Sequence, residues 1–192
     1  MKYIILLNLL IFALTTAKTP KSDEPVTDIQ LNTHWDLINS QNSTYNVKNL
    51  TIPFSVHSAL LRAEKIPDPY YRYNDLELRW IPKNNYWKFV NKFTIDGGET
   101  VINNSIINLE FHSIDSVAKV YLNGHFVLFA QNEFLKYTIE NVNSKLKSND
   151  DNLLEINFLS PIEYAQNVSN MYPYRIPVIF FLIKILIRHN IM

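Results

Sequence analysis

The stretch SVAKVYLNGHFVLF, residues 116–129, decides the fold class of this chain. Two runs rich in β-branched and aromatic residues stand on either side of Asn123-Gly124. Asn-Gly supplies the two positive φ angles of a type I′ turn, whose twist matches that of paired strands. The sequence therefore predicts a β-hairpin with strands at residues 116–122 and 125–129.

Further strands are predicted on both sides of this hairpin. Within residues 86–95, apolar and polar side chains alternate with the period of two that marks a half-buried strand. The pattern recurs at residues 106–111, and shorter runs follow at 135–139 and 153–158, with a turn or short helix at 141–152 between them. Several short strands joined by turns predict an all-β fold, an antiparallel sandwich.

One helix is predicted in the first half of the chain. Ser55 is a typical N-cap residue, and apolar residues then recur at helical spacing, at Val56, Ala59, Leu60 and Ala63. The pattern ends at Ile66-Pro67, because the residue before a proline avoids the helical conformation. We expect this helix to lie as a lid on the sandwich.

The segment IPDPYYRYNDLELRWI, residues 66–81, follows the helix and fits neither helix nor strand periodicity. Pro67 and Pro69 fix φ and hold their predecessors extended, which predicts a stiff strap without backbone hydrogen bonds. Its tyrosines, Tyr70, Tyr71 and Tyr73, are suited to burying their rings while their hydroxyls form hydrogen bonds. Its arginines, Arg72 and Arg79, are suited to binding carboxylates or carbonyls. The strap is either an ordered cover over one end of the sandwich or a binding surface.

Composition excludes several classes of function. The 18 basic residues balance the 18 acidic ones without any block of like charge, so a nucleic-acid partner is not expected. Three glycines in 192 residues leave no glycine-rich loop for a nucleotide. The chain has no cysteine, and its five histidines, at 34, 57, 112, 125 and 189, lack metal-ligand spacing. We therefore expect neither a disulfide, nor a metal, nor a cofactor.

No catalytic residue is predicted from the sequence. The carboxylates that could be considered are Asp68, Asp75, Glu77, Asp115 and Glu163, and none stands in a pattern that indicates a catalytic pair. Asp115 precedes a predicted strand, where a capping or ion-pairing role is expected. Ser58 and Ser160 have no nucleophile-elbow context.

The N-terminus has the pattern of a secretory leader. Lys2 precedes an apolar run, and Thr15 and Ala17 are small residues at a cleavage site, so removal of residues 1–17 is predicted. A membrane anchor is the alternative, although the run is shorter than the ~18 residues of a spanning helix. Residues 18–34 then form a short leader segment.

Four N-glycosylation sequons are expected to be functional if the chain enters the secretory pathway. They should lie on the surface, at Asn42, Asn49, Asn103 and Asn167.

Five motifs occur in order along the chain: IPDPYYRYN at 66–74, FHSIDSVA at 111–118, VYLNG at 120–124, NEFLKY at 132–137 and FLSPIEYA at 158–165. Together they resemble the N-terminal domain of the β-mannosidases of glycoside hydrolase family 2, of the lysosomal type. The resemblance implies a galactose-binding-like jelly roll over residues 35–177. It also implies an enzyme that hydrolyses terminal non-reducing β-D-mannose residues in glycan catabolism, with a lysosomal location.

The sequence departs from the family pattern at three places. Phe54 stands where a glycine is usual, and Glu133 stands where methionine is usual. After residue 177 the family pattern continues into a Trp-Asp-Trp loop, a linking sandwich and a catalytic barrel with two glutamates, none of which this sequence shows. We therefore expect the non-catalytic scaffold domain of such an enzyme, inactive alone, with the barrel as its missing partner.

The last residues, 178–192, differ in composition from the rest. Residues 178–187 read VIFFLIKILI, too short to span a bilayer. We interpret this aberrant apolar tail as the mark of a truncated product, with a short isoform or an interfacial membrane tail as alternatives.

A second functional hypothesis is a stand-alone carbohydrate-binding module for mannose-containing glycans. Such a module needs an exposed aromatic platform for sugar rings. Trp35, Trp80 and Trp87 are the tryptophans available, and Trp87 lies on the apolar side of a predicted strand. Trp80 is therefore the candidate platform.

Overall fold

The structure, a computed structural model, describes residues 2–7 and 26–174. Within them ten strands form two sheets: β1 Lys2–Leu7, β2 Val26–Gln30, β3 Trp35–Asn39, β4 Val47–Leu50, β5 Trp87–Phe93, β6 Ile106–Phe111, β7 Ala118–Leu122, β8 His125–Ala130, β9 Tyr137–Ile139 and β10 Asn152–Phe158. Four short α-helices join them: α1 Val56–Arg62, α2 Asn74–Glu77, α3 Gly98–Asn104 and α4 Pro161–Asn170.

The strands confirm the predicted antiparallel sandwich. The larger sheet has the order β4-β3-β5-β10-β7-β8, and its neighbouring strands are all antiparallel. The smaller sheet has the order β2-β1-β6-β9, in which β1 runs parallel to both of its neighbours. The first four strands, β1 to β4, were not predicted from the sequence.

A single hydrophobic core contains side chains from both sheets. On β3 and β5, every second residue is buried, which is the pattern of a strand with one face against a core. Trp35 and Leu37 of β3 are fully buried, as are Leu154 and Ile156 of β10. The smaller sheet contributes its buried residues at alternate positions of β6, namely Ile107, Leu109 and Phe111.

The predicted hairpin is confirmed, and its turn is more than a local feature. Asn123 and Gly124 have φ of 50° and 80°, as a type I′ turn requires. Asn123 also contacts β10, since its side-chain oxygen accepts a hydrogen bond from Leu153 N (2.8 Å). Its Nδ2 donates to Asn152 Oδ1 (2.8 Å) and to Lys145 O (2.7 Å). The turn residue therefore ties the hairpin to the centre of the larger sheet.

The helix after Ser55 is confirmed as α1. Ser55 Oγ accepts from Ser58 N (3.1 Å), while Ser58 Oγ accepts from Ser55 N (2.8 Å), which is a reciprocal capping box. Residues 26–174 contain three further α-helices, α2, α3 and α4, that the sequence analysis missed. For α4 a signal exists, because Ser160, Pro161 and Glu163 form a typical helix start.

Part of the predicted leader is described by the structure, whereas the apolar tail is not. Lys2–Leu7, inside the predicted leader, forms β1 between β2 and β6. Removal of the leader stays a prediction, and a chain processed in that way would lose β1. Residues 8–25 and the apolar tail, 178–192, lie outside the described residues. Among the helices that are described, none has the length and apolar character needed to cross a membrane.

Candidate functional site

The strap, residues 66–81, is folded into turns and short helices. Asp68 organises its first half: its carboxylate accepts from Tyr70 N (2.9 Å), and its carbonyl accepts from Tyr71 N (3.1 Å) and Asn74 Nδ2 (2.8 Å). Helix α2 and a 3-10 helix at Leu78–Trp80 form the second half. The expected strap without backbone hydrogen bonds is wrong, because the side chains of Asp68 and Asn74 stabilise turns between the prolines and α2.

The strap holds its tyrosines in solvent. Ile66, Leu78 and Ile81 are buried and attach its two ends to the core. Tyr70 and Tyr73 are each 77% exposed, and Tyr71 is 57% exposed, with the Arg72 guanidinium 5.1 Å from the centroid of its ring. The expected burial of these rings is therefore wrong. We call the rings of Tyr70, Tyr71 and Tyr73 the strap surface.

Trp80, in the 3-10 helix at the end of the strap, lies in a stack of aromatic rings. Its ring centroid is 5.0 Å from that of Tyr45 and 6.0 Å from that of Trp87, and it is partly buried against the core. Trp35 and Trp87 are buried, with their indole N–H groups donating to backbone carbonyls. Trp80 thus contributes to packing against the core, whereas the three tyrosines of the strap are exposed to solvent.

A second exposed aromatic surface lies on the outer face of the larger sheet, along its edge strand β8. Phe126 is paired with Tyr121 and Phe129 with Lys119, so Val127 is an extra residue in β8, a β-bulge. Lys119 and Tyr121 share one face of β7, the face away from buried Ala118, Val120 and Leu122. The bulge therefore brings Phe126 and Phe129 to the same outer face, although they are three positions apart.

Neighbouring aromatic rings extend this second surface. The Tyr121 and Phe126 ring centroids are 5.7 Å apart, and those of Phe129 and Tyr164 of α4 are 6.2 Å apart, both edge to face. Gln131 Nε2 donates a hydrogen bond to the Tyr164 hydroxyl, which fixes α4 beside β8. We call Tyr121, Phe126, Phe129 and Tyr164 the outer aromatic surface. Sequence reasoning missed it, because no sequence signal reveals the bulge.

The turn after β8 exposes a further apolar side chain. Phe134, at its tip, is 81% exposed. The Tyr137 hydroxyl accepts from Gln131 N (3.1 Å) and Asn132 N (3.0 Å), which holds the turn in place. Phe134 is thus presented on an ordered turn.

The carboxylates have structural partners in several cases. Glu110 is buried and pairs with Lys136 (2.7 Å), and Glu163 accepts a hydrogen bond from Asn85. The pKa of Asp150 is held below its ordinary value by the Asp151 backbone N–H and by Lys147. Asp75, Glu77 and Asp115 are exposed. Within residues 2–7 and 26–174, His, Asp and Glu side chains do not gather into a group of three that could hold a metal ion.

The four sequon asparagines all have exposed side chains. Asn42 caps a 3-10 helix, with its Oδ1 accepting from Thr44 N (3.0 Å) and Thr44 Oγ1 (2.7 Å). Asn49 lies in β4, Asn103 in α3 and Asn167 in α4. Their glycosylation stays a prediction.

Comparisons with known proteins agree on one kind of domain. A family described as "Glycosyl hydrolase 2 galactose-binding domain-like" matches residues 35–190. The β-mannosidase of Bos taurus is 35% identical over 147 residues, which cover 77% of this chain and 16% of the relative. That of Capra hircus is 34% identical over 147 residues, 77% of this chain and 16% of the relative. The chain thus spans about a sixth of the length of these curated relatives.

A solved structure shares the fold. The crystal structure of β-D-mannosidase from Dictyoglomus thermophilum is similar with a TM-score of 0.66 and 29% identity, over 75% of this chain and 17% of that chain. The exo-chitosanase CsxA of Amycolatopsis orientalis matches with 14% identity and a TM-score of 0.54, over 66% of this chain and 16% of the chitosanase chain. This match shows the fold alone.

Proposed function

Because this chain belongs to the galactose-binding-like N-terminal domains of glycoside hydrolase family 2, we propose that it is the non-catalytic scaffold domain of a β-mannosidase. The enzyme as a whole would hydrolyse terminal non-reducing β-D-mannose residues of glycans. Similarity to the bovine and caprine β-mannosidases supports this substrate. The N-terminal leader pattern and the exposed sequons support a place in the secretory pathway and the lysosome.

The outer aromatic surface is the observation that carries the scaffold role. Phe126, Phe129, Tyr121 and Tyr164 lie together on the outer face of an ordered sheet. Large apolar patches on a soluble domain are typical of interaction sites. Burying one phenylalanine side chain contributes about 1.5–3 kcal/mol, so two such rings would dominate a docking interface. We infer that this face packs against the catalytic barrel.

Co-expression with a relative tests the scaffold role. The β-mannosidase of Bos taurus, shortened by its own matching N-terminal domain, would be produced with residues 18–192 of this chain. The scaffold role predicts that the shortened enzyme becomes soluble and co-purifies with the domain. Phe126→Ser/Phe129→Ser should abolish co-purification, whereas the control Tyr70→Ser/Tyr73→Ser, which removes two exposed rings elsewhere, should not. Equal co-purification of both double variants would contradict the assignment of the interface.

Carbohydrate binding by the domain itself is the second candidate function. The strap surface favours it, because Tyr70, Tyr71 and Tyr73 are exposed and aromatic rings suit the apolar faces of sugars. Mannose and mannobiose would be titrated while tryptophan fluorescence is followed, with the partly buried Trp80 at the end of the strap as the reporter. Saturable quenching that is lost in Tyr71→Ala and kept in Phe126→Ser would support this function. Because Trp80→Ala removes the reporter, binding to that variant would be measured by calorimetry, and sugar binding kept in Tyr71→Ala but lost in Trp80→Ala would return the platform to Trp80.

A further inference from the structure

The hairpin turn contains the one Asn-Gly pair of the chain, Asn123-Gly124, and such a pair is chemically labile. The side-chain amide of an asparagine is open to attack by the backbone nitrogen of the next residue, which makes asparagine a thermolabile residue. Glycine favours the attack most, because it has no Cβ to shield its nitrogen or to restrict its backbone. Gly124 is also exposed, and no atom of the described residues beyond its chain neighbours lies within 4 Å of where a Cβ would stand. The turn therefore places a labile amide beside an accessible nucleophile.

Three hydrogen bonds hold the Asn123 amide in the folded domain. Its Oδ1 accepts from Leu153 N (2.8 Å), and its Nδ2 donates to Lys145 O (2.7 Å) and to Asn152 Oδ1 (2.8 Å). Asn152 is fully buried, and its Oδ1 also accepts from Lys147 N (2.8 Å). An amide held in this way at its oxygen and at its nitrogen cannot turn towards the next backbone nitrogen without losing these bonds. The hydrogen bonds therefore protect the amide while the turn is closed.

We propose that Asn123 is a deamidation site whose reaction is controlled by local opening of the hairpin turn. In the open turn, the Gly124 nitrogen gives its proton to solvent and attacks Cγ of Asn123. The bond from nitrogen to Cγ forms, the bond from Cγ to Nδ2 breaks, and Nδ2 leaves as ammonia. The succinimide ring then takes up a water molecule and opens at one of its two carbonyl groups, to give aspartate or isoaspartate. This chemistry needs only water and does not depend on the role of the domain in a β-mannosidase.

Neither product fits the place that the amide occupied. The carboxylate of aspartate has no N–H to donate, so a charged oxygen would face two acceptors, Lys145 O and the buried Asn152 Oδ1. Isoaspartate lengthens the backbone of the turn by a carbon atom, which disturbs the pairing of Leu122 with His125. Closing of the turn cannot reverse either change. Deamidation therefore permanently weakens the attachment of the hairpin to β10.

Peptide mapping by mass spectrometry tests the site and its protection. The purified chain would be kept at mildly alkaline pH, folded in one sample and unfolded in urea in the other, and the conversion of residue 123 would be followed with time. Residue 123 should be converted in both samples, at least about tenfold more slowly in the folded one, because opening of the turn costs free energy. In urea, Gly124→Ala should also be converted at least about tenfold more slowly than the natural chain, because its Cβ shields the attacking nitrogen.

Two destabilising variants separate local opening of the turn from global unfolding. Asn152→Ala removes an acceptor of the Asn123 amide and should accelerate conversion in the folded chain by about tenfold. Ser160→Ala, beyond the opposite end of β10, removes hydrogen bonds to Pro82 and Glu163 without touching the turn. It should leave the rate within about twofold of that of the natural chain, because local openings are independent of distant contacts.

The stability of the product is measured on material that has deamidated. This material carries an additional negative charge, so anion exchange separates it from the unmodified chain. Its thermal unfolding midpoint should be about 5–10 °C lower, and Asn123→Asp, which reproduces one of the products, should show a similar loss.

Any of four results would overturn the proposal. They are no conversion of residue 123 in the unfolded chain, equal rates in the folded and unfolded chains, equal acceleration by Asn152→Ala and Ser160→Ala, and a deamidated chain as stable as the unmodified one. The third result would show that only global unfolding exposes the amide.

Discussion

Phe126 and Phe129 lie on the same outer face of β8, because the bulge at Val127 inserts one extra residue between them. In a regular strand residues three apart point to opposite faces, so one ring would point toward the core. The register shows the shift directly, with Tyr121 opposite Phe126 and Lys119 opposite Phe129. Bulges often re-orient side chains for function, and here the bulge assembles an aromatic pair that the core does not use.

The double variant Phe126→Ser/Phe129→Ser should therefore destabilise the domain much less than a substitution in the core does. Phe126 is 54% exposed and Phe129 36% exposed, so their removal loses only part of their packing, and the unfolding midpoint should fall by about 2–5 °C. Binding of a hydrophobic dye to the native domain should fall. Val120→Ser, at a fully buried position of β7, is the control and should unfold many degrees earlier. Equal losses in the two proteins would mean that the rings belong to the core.

At the hairpin turn, Asn123→Gly should destabilise the domain more than Gly124→Ala does. The glycine variant keeps the positive φ but loses three hydrogen bonds to residues 145, 152 and 153, at a cost of about 2–4 kcal/mol. At Gly124 nothing lies within 4 Å of an added Cβ, so the alanine there meets only the strain of positive φ, about 1–2 kcal/mol. Urea unfolding measures the free energy of unfolding of both variants. A larger loss in Gly124→Ala than in Asn123→Gly would show that Asn123 acts only through the conformation of the turn.

Ser160→Ala should lower the free energy of unfolding by about 1–3 kcal/mol. The Ser160 hydroxyl donates to Pro82 O (2.9 Å) and accepts from Glu163 N (3.2 Å), so it both caps α4 and ties it to the end of the strap. Gln166→Ala, exposed on the same helix, is the control and should be within about 0.5 kcal/mol of the natural protein. If Ser160→Ala left the free energy of unfolding in urea unchanged, these two hydrogen bonds would not stabilise the contact between α4 and the strap.

Endoglycosidase treatment of the secreted protein should increase its gel mobility. All four sequon asparagines are exposed, so each is accessible for the attachment of a glycan. Single Asn→Gln variants at positions 42, 49, 103 and 167 would identify the occupied sites by loss of one step in mobility. Identical mobility of treated and untreated natural protein would refute glycosylation at every site.

The predictable part of this fold is the part that local chemistry determines. The turn at Asn123-Gly124 and the cap at Ser55 follow from residue types that favour one backbone conformation wherever they occur. β3 carried only a weak signal, because Trp35 and Leu37 flank polar Asp36 but Ile38 and Asn39 break the alternation, and it lies just after the predicted leader segment, where no strand was expected.

The surfaces were harder to predict, because they depend on tertiary register. The strap was expected to bury its tyrosines, yet buried Ile66, Leu78 and Ile81 attach it to the core and leave the rings outside. The outer aromatic surface depends on one bulge in β8, which no residue type in that strand requires. The position of β1 between β2 and β6 likewise comes from long-range pairing and not from any local pattern.

Hydrolysis of an aryl β-mannoside between pH 4 and 7 tests the scaffold account most directly. Three samples would be compared: residues 18–192 alone, the bovine β-mannosidase shortened by its own matching domain, and the two together. The account predicts the buffer rate for the domain alone, since acid–base and electrostatic catalysis, each worth about a hundredfold or more, would belong to the barrel. It predicts recovered turnover in the mixture and none with Phe126→Ser/Phe129→Ser. Turnover that follows the purified domain through repeated chromatography, or a mixture no more active than the shortened enzyme, would contradict it.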